Sequence, residues 1–227
     1  LIISYGAAPD RSKYRVSVVA IGDSICYGVG GGSAANWEQQ AWTAGGGNNA
    51  PFVFRGSQVN TNLDPGFPNN FNEGYPFAAI NSGGFLELLG SRTATVTGSF
   101  NPDVMVMAAG TNDIGINGAS ADDVIGYWSA WMDQCSTSNR VLVVCGILRR
   151  LDDFDTAVQV VNAGLQSVID SKPYSARVIN ISGPYYGATD DADYIPGGLH
   201  PNPAGYVKIG NVVWEYGLQP ACQLARG

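Results

Sequence analysis

Residues 18–32, VVAIGDSICYGVGGG, set an apolar run directly against Gly22-Asp23-Ser24 and then against a loop made largely of glycine. A buried strand that stops on Gly-Asp-Ser delivers a hydroxyl at its carboxyl end, because Gly22 permits the sharp turn that lifts Ser24 off the sheet edge. In open α/β sheets ligands bind beyond that end of the strands. The structural alternative is that Ser24 only caps a helix, a position serine favours. The glycines at 28–32 lack the lysine that follows in a phosphate cradle, and they read as room left for a substrate.

Working outward, Val- and Ile-rich runs at 15–21, 103–109, 140–147 and 177–181, with a shorter one at 52–56, predict strands buried on both faces. Helical patterns alternate with them at 36–44, 78–90, 120–135, 154–171 and 203–216, the third opening on Ser120-x-x-Asp123. The alternation predicts an α/β fold, a three-layer α/β/α sandwich around a five-stranded parallel sheet. A chain of 227 residues suits one domain spanning 1–227. Segment 57–75, rich in Asn, Gly, Pro and Phe, reads as one long irregular connection of the kind that tends to carry function.

Twelve Lys and Arg against nineteen Asp and Glu give a net charge of −7, and the longest basic cluster is Arg149-Arg150. That balance argues against nucleic acid and anionic membranes as partners. No apolar run approaches the roughly 20 residues of a membrane-spanning helix. Cys26, Cys135, Cys145 and Cys222 show no C-x-x-C spacing, and with a single histidine a zinc site is not expected. No metal or cofactor is called for. Few lysines and many Gly, Asn and Ser suit a secreted monomer, in which one or two disulfides could form without the spacing fixing a pairing. The sequon Asn180-Ile181-Ser182 falls in an expected strand, which favours burial over glycosylation.

Two further stretches supply what a nucleophile needs. In NPDVMVMAAGTNDIG, residues 101–115, a strand ends before Gly110-Thr111-Asn112-Asp113, so the Asn112 amide is expected at the same sheet edge as Ser24. An amide donor there stabilises a tetrahedral oxyanion, although Asn-Asp pairs also form ordinary turns. In GGLHPNPAGY, residues 197–206, the chain's one histidine, His200, sits in a Gly/Pro-punctuated loop before the last helix. A serine becomes nucleophilic only beside a base, and His200 is the candidate.

GDS, GTND and GLHPN, in this order and at these fold positions, resemble the SGNH or GDSL hydrolases over nearly the whole chain. Within them the chain is most similar to the carbohydrate esterase family 3 type, through GDSICYGVGGG, FVFRGSQ, NEGYPFAAI and GLHPNPAGYVKIGNVVWEY. The resemblance implies Ser24 as nucleophile, His200 as base, and an oxyanion hole from Asn112 and the Ser24 N–H. It also implies a second backbone N–H, at Phe77 in the EGYP register or at Gly84 in a rival one. Asp23, Tyr75, Gly84, Thr111 and Arg149 are expected to bind substrate. The family's triad acid lies three residues before the histidine, where this chain has Gly197. A main-chain carbonyl, or Asp193 from the DDADY segment, is left to orient the imidazole. The implied activity is release of acetyl or other short acyl groups from carbohydrate esters. A non-catalytic carbohydrate-binding module on the same fold, and a lipase or thioesterase, are the alternatives.

Overall fold

The computed structural model describes residues 14–31, 36–59, 71–76, 79–80, 96–137 and 139–227. Its centre is β1 (Val16–Gly22), and the strand's alternation explains the layers: Val18 and Ala20 feed one core, Val19 and Ile21 the other. Parallel to β1 run β5 (Val104–Ala108) on one side, and β2 (Phe52–Arg55) and then β4 (Phe71–Gly74) along the other. Beyond β5 lie β6 (Val141–Gly146) and β7 (Val178–Asn180), also parallel. The five expected strands are therefore β2, β1, β5, β6 and β7. Among the described residues the sheet has two more, β4 and the short β3 (Gln58–Val59), which pairs with it antiparallel. Both come from the segment read as irregular.

The helices are α1 (Ser24–Tyr27), α2 (Trp37–Ala44), α3 (Thr111–Gly115), α4 (Ala121–Cys135), α5 (Asp155–Asp170), α6 (Ser182–Tyr186), α7 (Pro203–Val212) and α8 (Gln219–Arg226). One core packs α2, α7 and α8 against the sheet through Trp37, Ala41, Tyr206, Ile209 and Ala221. The other packs α4 and α5 through Val124, Trp128, Trp131, Val158, Val161 and Leu165. Each large side chain so buried contributes roughly 1.5–3 kcal/mol from desolvation. Ser120 and Asp123 form the reciprocal capping box that the sequence pattern predicts for α4. The last helical stretch outruns its expected end at 216. It passes through a π-helical Val213–Leu218 into α8, which carries Pro220 at its second position. The helix expected at 78–90 lies outside the described residues apart from Ala79 and Ile80, which are buried and not helical.

All four cysteines are buried, and no disulfide joins any two of them. Asn180 ends β7, half-buried, and donates from Nδ2 to Gln166 Oε1 at 3.0 Å. The register that matters for function is Gly22 opposite Ala108: β1 and β5 end side by side, so the turns carrying Ser24 and Asn112 leave the sheet together.

Candidate active site

Gly22 is required by contact as well as by the turn, since a Cβ there would lie 2.0 Å from the Ala108 carbonyl oxygen. The helix cap is Asp23 rather than Ser24: its Oδ1 accepts the Ile25 N–H at 2.9 Å. Asp23 is 1 % exposed and its carboxylate serves the cap, in place of the expected binding role. Burial pushes its carboxyl up to about 7, helped by nearby Asp113 and opposed by the Ile25 N–H and the Arg150 charge. With the capping handed to its neighbour, the Ser24 hydroxyl is free to meet His200. Ser24 Oγ lies 2.9 Å from His200 Nε2 across 176 positions of sequence.

The histidine is held by its loop. The His200 carbonyl accepts the Ile195 N–H, Tyr194 and Pro201 form an isolated antiparallel bridge, and Asn202 caps α7 through the Gly205 N–H. The loop is also fastened to the chain after β6: the Leu151 N–H donates to the Gly198 carbonyl, and the Tyr194 hydroxyl to that of Arg149 at 2.5 Å. Burial, and then the charge of Arg150, push the imidazole below its ordinary value, so the ring is neutral and basic at neutral pH. In the glycine loop after α1, Gly30 serves this arrangement rather than leaving room for substrate. A Cβ on Gly30 would lie 2.6 Å from the Pro201 carbonyl oxygen and 3.2 Å from the His200 Cβ.

Asp193 is not the displaced acid. It is 3 % exposed, and its Oδ2 accepts from Lys208 Nζ at 2.6 Å and from the Asp190 N–H at 2.8 Å. Its neighbours are paired too, Asp190 with Lys208 and Asp191 with Arg149. Gly197, at the usual acid position, has φ of +104°, which L side chains rarely adopt, while a Cβ there meets nothing within 4 Å. Gly197→Asp is therefore expected to cost roughly 1–3 kcal/mol of backbone strain with no clash. Thermal unfolding should register a lower Tm while kcat stays within about threefold or rises. An unchanged Tm would contradict the φ assignment.

Asn112 is the second residue of α3 and is buried. The preceding Gly110, at φ +116°, packs where a Cβ would lie 2.7 Å from Ile147 Cδ1. Thr111, expected to bind substrate, is 1 % exposed and instead offers its carbonyl to Arg150 Nη1 at 3.0 Å. Arg149 pairs with Asp191 at 2.7 Å, and the arginine that reaches the Asn112 turn is Arg150. Tyr75 reaches the sheet edge through its N–H on the Gly22 carbonyl, and its hydroxyl donates to Glu73 Oε2 at 2.5 Å. Phe77 and Gly84, the two candidates for the second oxyanion N–H, lie outside the described residues.

Behind α1 sits a group the sequence did not advertise. Glu38 is fully buried, with Oε2 accepting from Asn36 Nδ2 at 2.6 Å and Asn72 Nδ2 at 3.4 Å, and Oε1 3.9 Å from Cys26 Sγ. Burial, outweighing the hydrogen bonds from Asn72, Asn36 and Cys26, pushes its carboxyl well above 4.5. Because the folded state holds this proton more tightly than the unfolded one, the contribution is full below about 4.5 and is withdrawn as pH rises towards the folded value. Glu38→Gln should thus raise Tm at pH 8 and flatten its fall above pH 4.5, as pH-resolved thermal melts would record.

A sequence model of the family described as GDSL-like Lipase/Acylhydrolase matches residues 20–208. No curated protein matches the chain. Among solved structures, a family 3 carbohydrate esterase of Clostridium thermocellum superposes with a TM-score of 0.74 at 22% identity, covering 93% of this chain and 99% of that one. One from Talaromyces cellulolyticus gives 0.72 at 19%, covering 91% and 98%. An acetyl esterase mutant with an acetate ion gives 0.71 at 19%, again covering 91% and 98%. These likenesses speak for the fold, and the family match spans all three motifs that meet at the sheet edge. The chain belongs to the GDSL-like lipase/acylhydrolase family and is a carboxylic ester hydrolase.

Proposed function

We propose that the chain releases acetyl or similarly short acyl groups from carbohydrate esters through a Ser24–His200 centre. The observation that carries this reading is the 2.9 Å approach of Ser24 Oγ to a neutral, half-buried imidazole at the carboxyl end of a parallel sheet. For Nε2 to accept the serine proton, the ring's own proton sits on Nδ1. Ser24 Oγ attacks the ester carbonyl as its proton passes to Nε2, and the oxyanion is met by the Asn112 amide and the N–H of Ser24. Collapse breaks the bond to the alcohol, which leaves with the proton from Nε2. Water, deprotonated by His200, then cleaves the acyl-enzyme and restores the hydroxyl.

A carbohydrate alcohol is supported by an open cleft of 590 Å³ beside the His200 loop, lined by Leu151, Tyr194, Ile195, Gly197 and Gly198 with Asp191 at its rim. Because His200 protonates the leaving alcohol, a bulky alcohol belongs on this side. Asp191 and the two glycines of its lining suit a hydroxylated ring better than an alkyl chain. The fold likeness to family 3 carbohydrate esterases points the same way. Acetate release should be measured from acetylated xylan and acetylated chitooligosaccharides, and acid release from 4-nitrophenyl esters of increasing chain length. The reading expects turnover of an acetylated saccharide and a fall in rate beyond butyrate. Hydrolysis of long-chain esters with none of the saccharides would overturn it.

A further inference from the structure

The geometry assigns Arg150 as the positioning residue of the oxyanion turn: its guanidinium is the strut that fixes α3, and with it Asn112, at the mouth of the site. This rests on the catalytic reading of Ser24, Asn112 and His200 above. A helix of five residues has no stability of its own, so the aim of Asn112 must be set by what α3 packs against. Behind it, Gly110 lies on Ile147. On its flank, Arg150 Nη1 donates to the Thr111 carbonyl at 3.0 Å, and the guanidinium fills the place that a Gly115 Cβ would take, 2.6 Å from Nη1 and 2.7 Å from Nη2.

The strut is itself rigid. Asp152 grips Nε at 2.9 and 3.2 Å and Nη2 at 2.5 Å, and the guanidinium carbon lies 5.1 Å from the centre of the Phe154 ring. The side chain is 7 % exposed. Only a planar fork grips the carboxylate with one edge and reaches the carbonyl with another, so lysine does not replace it. The position also carries charge towards His200. The groups around it are Asp152 on its fork, Asp155 accepting the Arg150 N–H at 2.9 Å, Asp23 beneath Ser24, and the neighbouring Arg149–Asp191 pair. The Arg150 charge is what, after burial, disfavours the imidazolium. Arginine at 150 therefore serves the site twice, by holding the donor turn and by keeping the base unprotonated.

The test compares the full chain with Arg150→Met, Arg150→Lys and Gly115→Ala on 4-nitrophenyl acetate, with rates normalised to sites titrated by a fluorophosphonate. Arg150→Met is expected to lower kcat at least about 10-fold with KM within threefold, and to move the acid limb of kcat/KM to higher pH. Arg150→Lys should lose kcat similarly but keep the wild-type acid limb, because the charge stays and the fork goes. Gly115→Ala, which displaces the guanidinium without removing it, should lower kcat even though alanine favours the helix. Should Arg150→Met fail to fold, the other two variants decide. Wild-type kcat per titrated site in Arg150→Lys and Gly115→Ala, or a loss confined to KM, overturns the assignment. Ser24→Ala is run alongside: activity surviving there overturns the serine reading itself, a result distinct from any outcome at Arg150.

Discussion

Ser24→Ala is expected to lower kcat on an acetyl ester by at least about 1,000-fold, and His200→Ala by a comparable factor. In the proposed mechanism the two side chains, 2.9 Å apart between Oγ and Nε2, act as one proton-transfer unit, so removing either disables the same step. The double variant should be little worse than either single one, because groups that act as a unit are not additive. Stability should hardly change: the Asp23 carboxylate caps α1 whether or not Ser24 keeps its hydroxyl. Steady-state rates and thermal melts on the three variants check this. Multiplying losses in the double variant would show that serine and histidine act in separate steps.

Asn112→Ala is expected to lower kcat by roughly 100-fold or more while leaving KM nearly unchanged, since an oxyanion donor makes its full bond only in the transition state. Asn112→Asp should be worse than alanine, because it replaces the donor with an acceptor and adds negative charge where negative charge develops. The residue is buried at the start of a five-residue helix, so each variant must be shown folded by its melt. An effect confined to KM would make Asn112 a substrate-binding residue instead.

The catalytic candidates were legible because they sit where the chain changes character. Ser24 and Asn112 each follow a buried apolar run, and parallel pairing of those runs brings their ends together without any contact having to be guessed. His200 stands out as the sole histidine in a loop built of glycine and proline. What escaped the sequence depends on pairings between segments remote from one another. Arg149 and Arg150 are chemically identical neighbours, and only the path of the chain after β6 decides that the second turns towards α3. Asp193 looks available until α7 brings Lys208 to its carboxylate. Gly30 reads as free space until the histidine loop is laid against it. β3 and β4 have two and four residues, too few for a periodic pattern. Glu38 lies in an ordinary amphipathic stretch, and its burial follows from how α1, α2 and β4 converge.

In the proposed mechanism everything depends on His200 activating the hydroxyl of Ser24. A fluorophosphonate probe followed by peptide mass mapping tests it directly, since only an activated serine is phosphonylated at low probe concentration. One adduct is expected, on Ser24, and it is lost in His200→Ala at neutral pH. An adduct on another residue, or labelling of Ser24 that persists at the wild-type rate without His200, would contradict it.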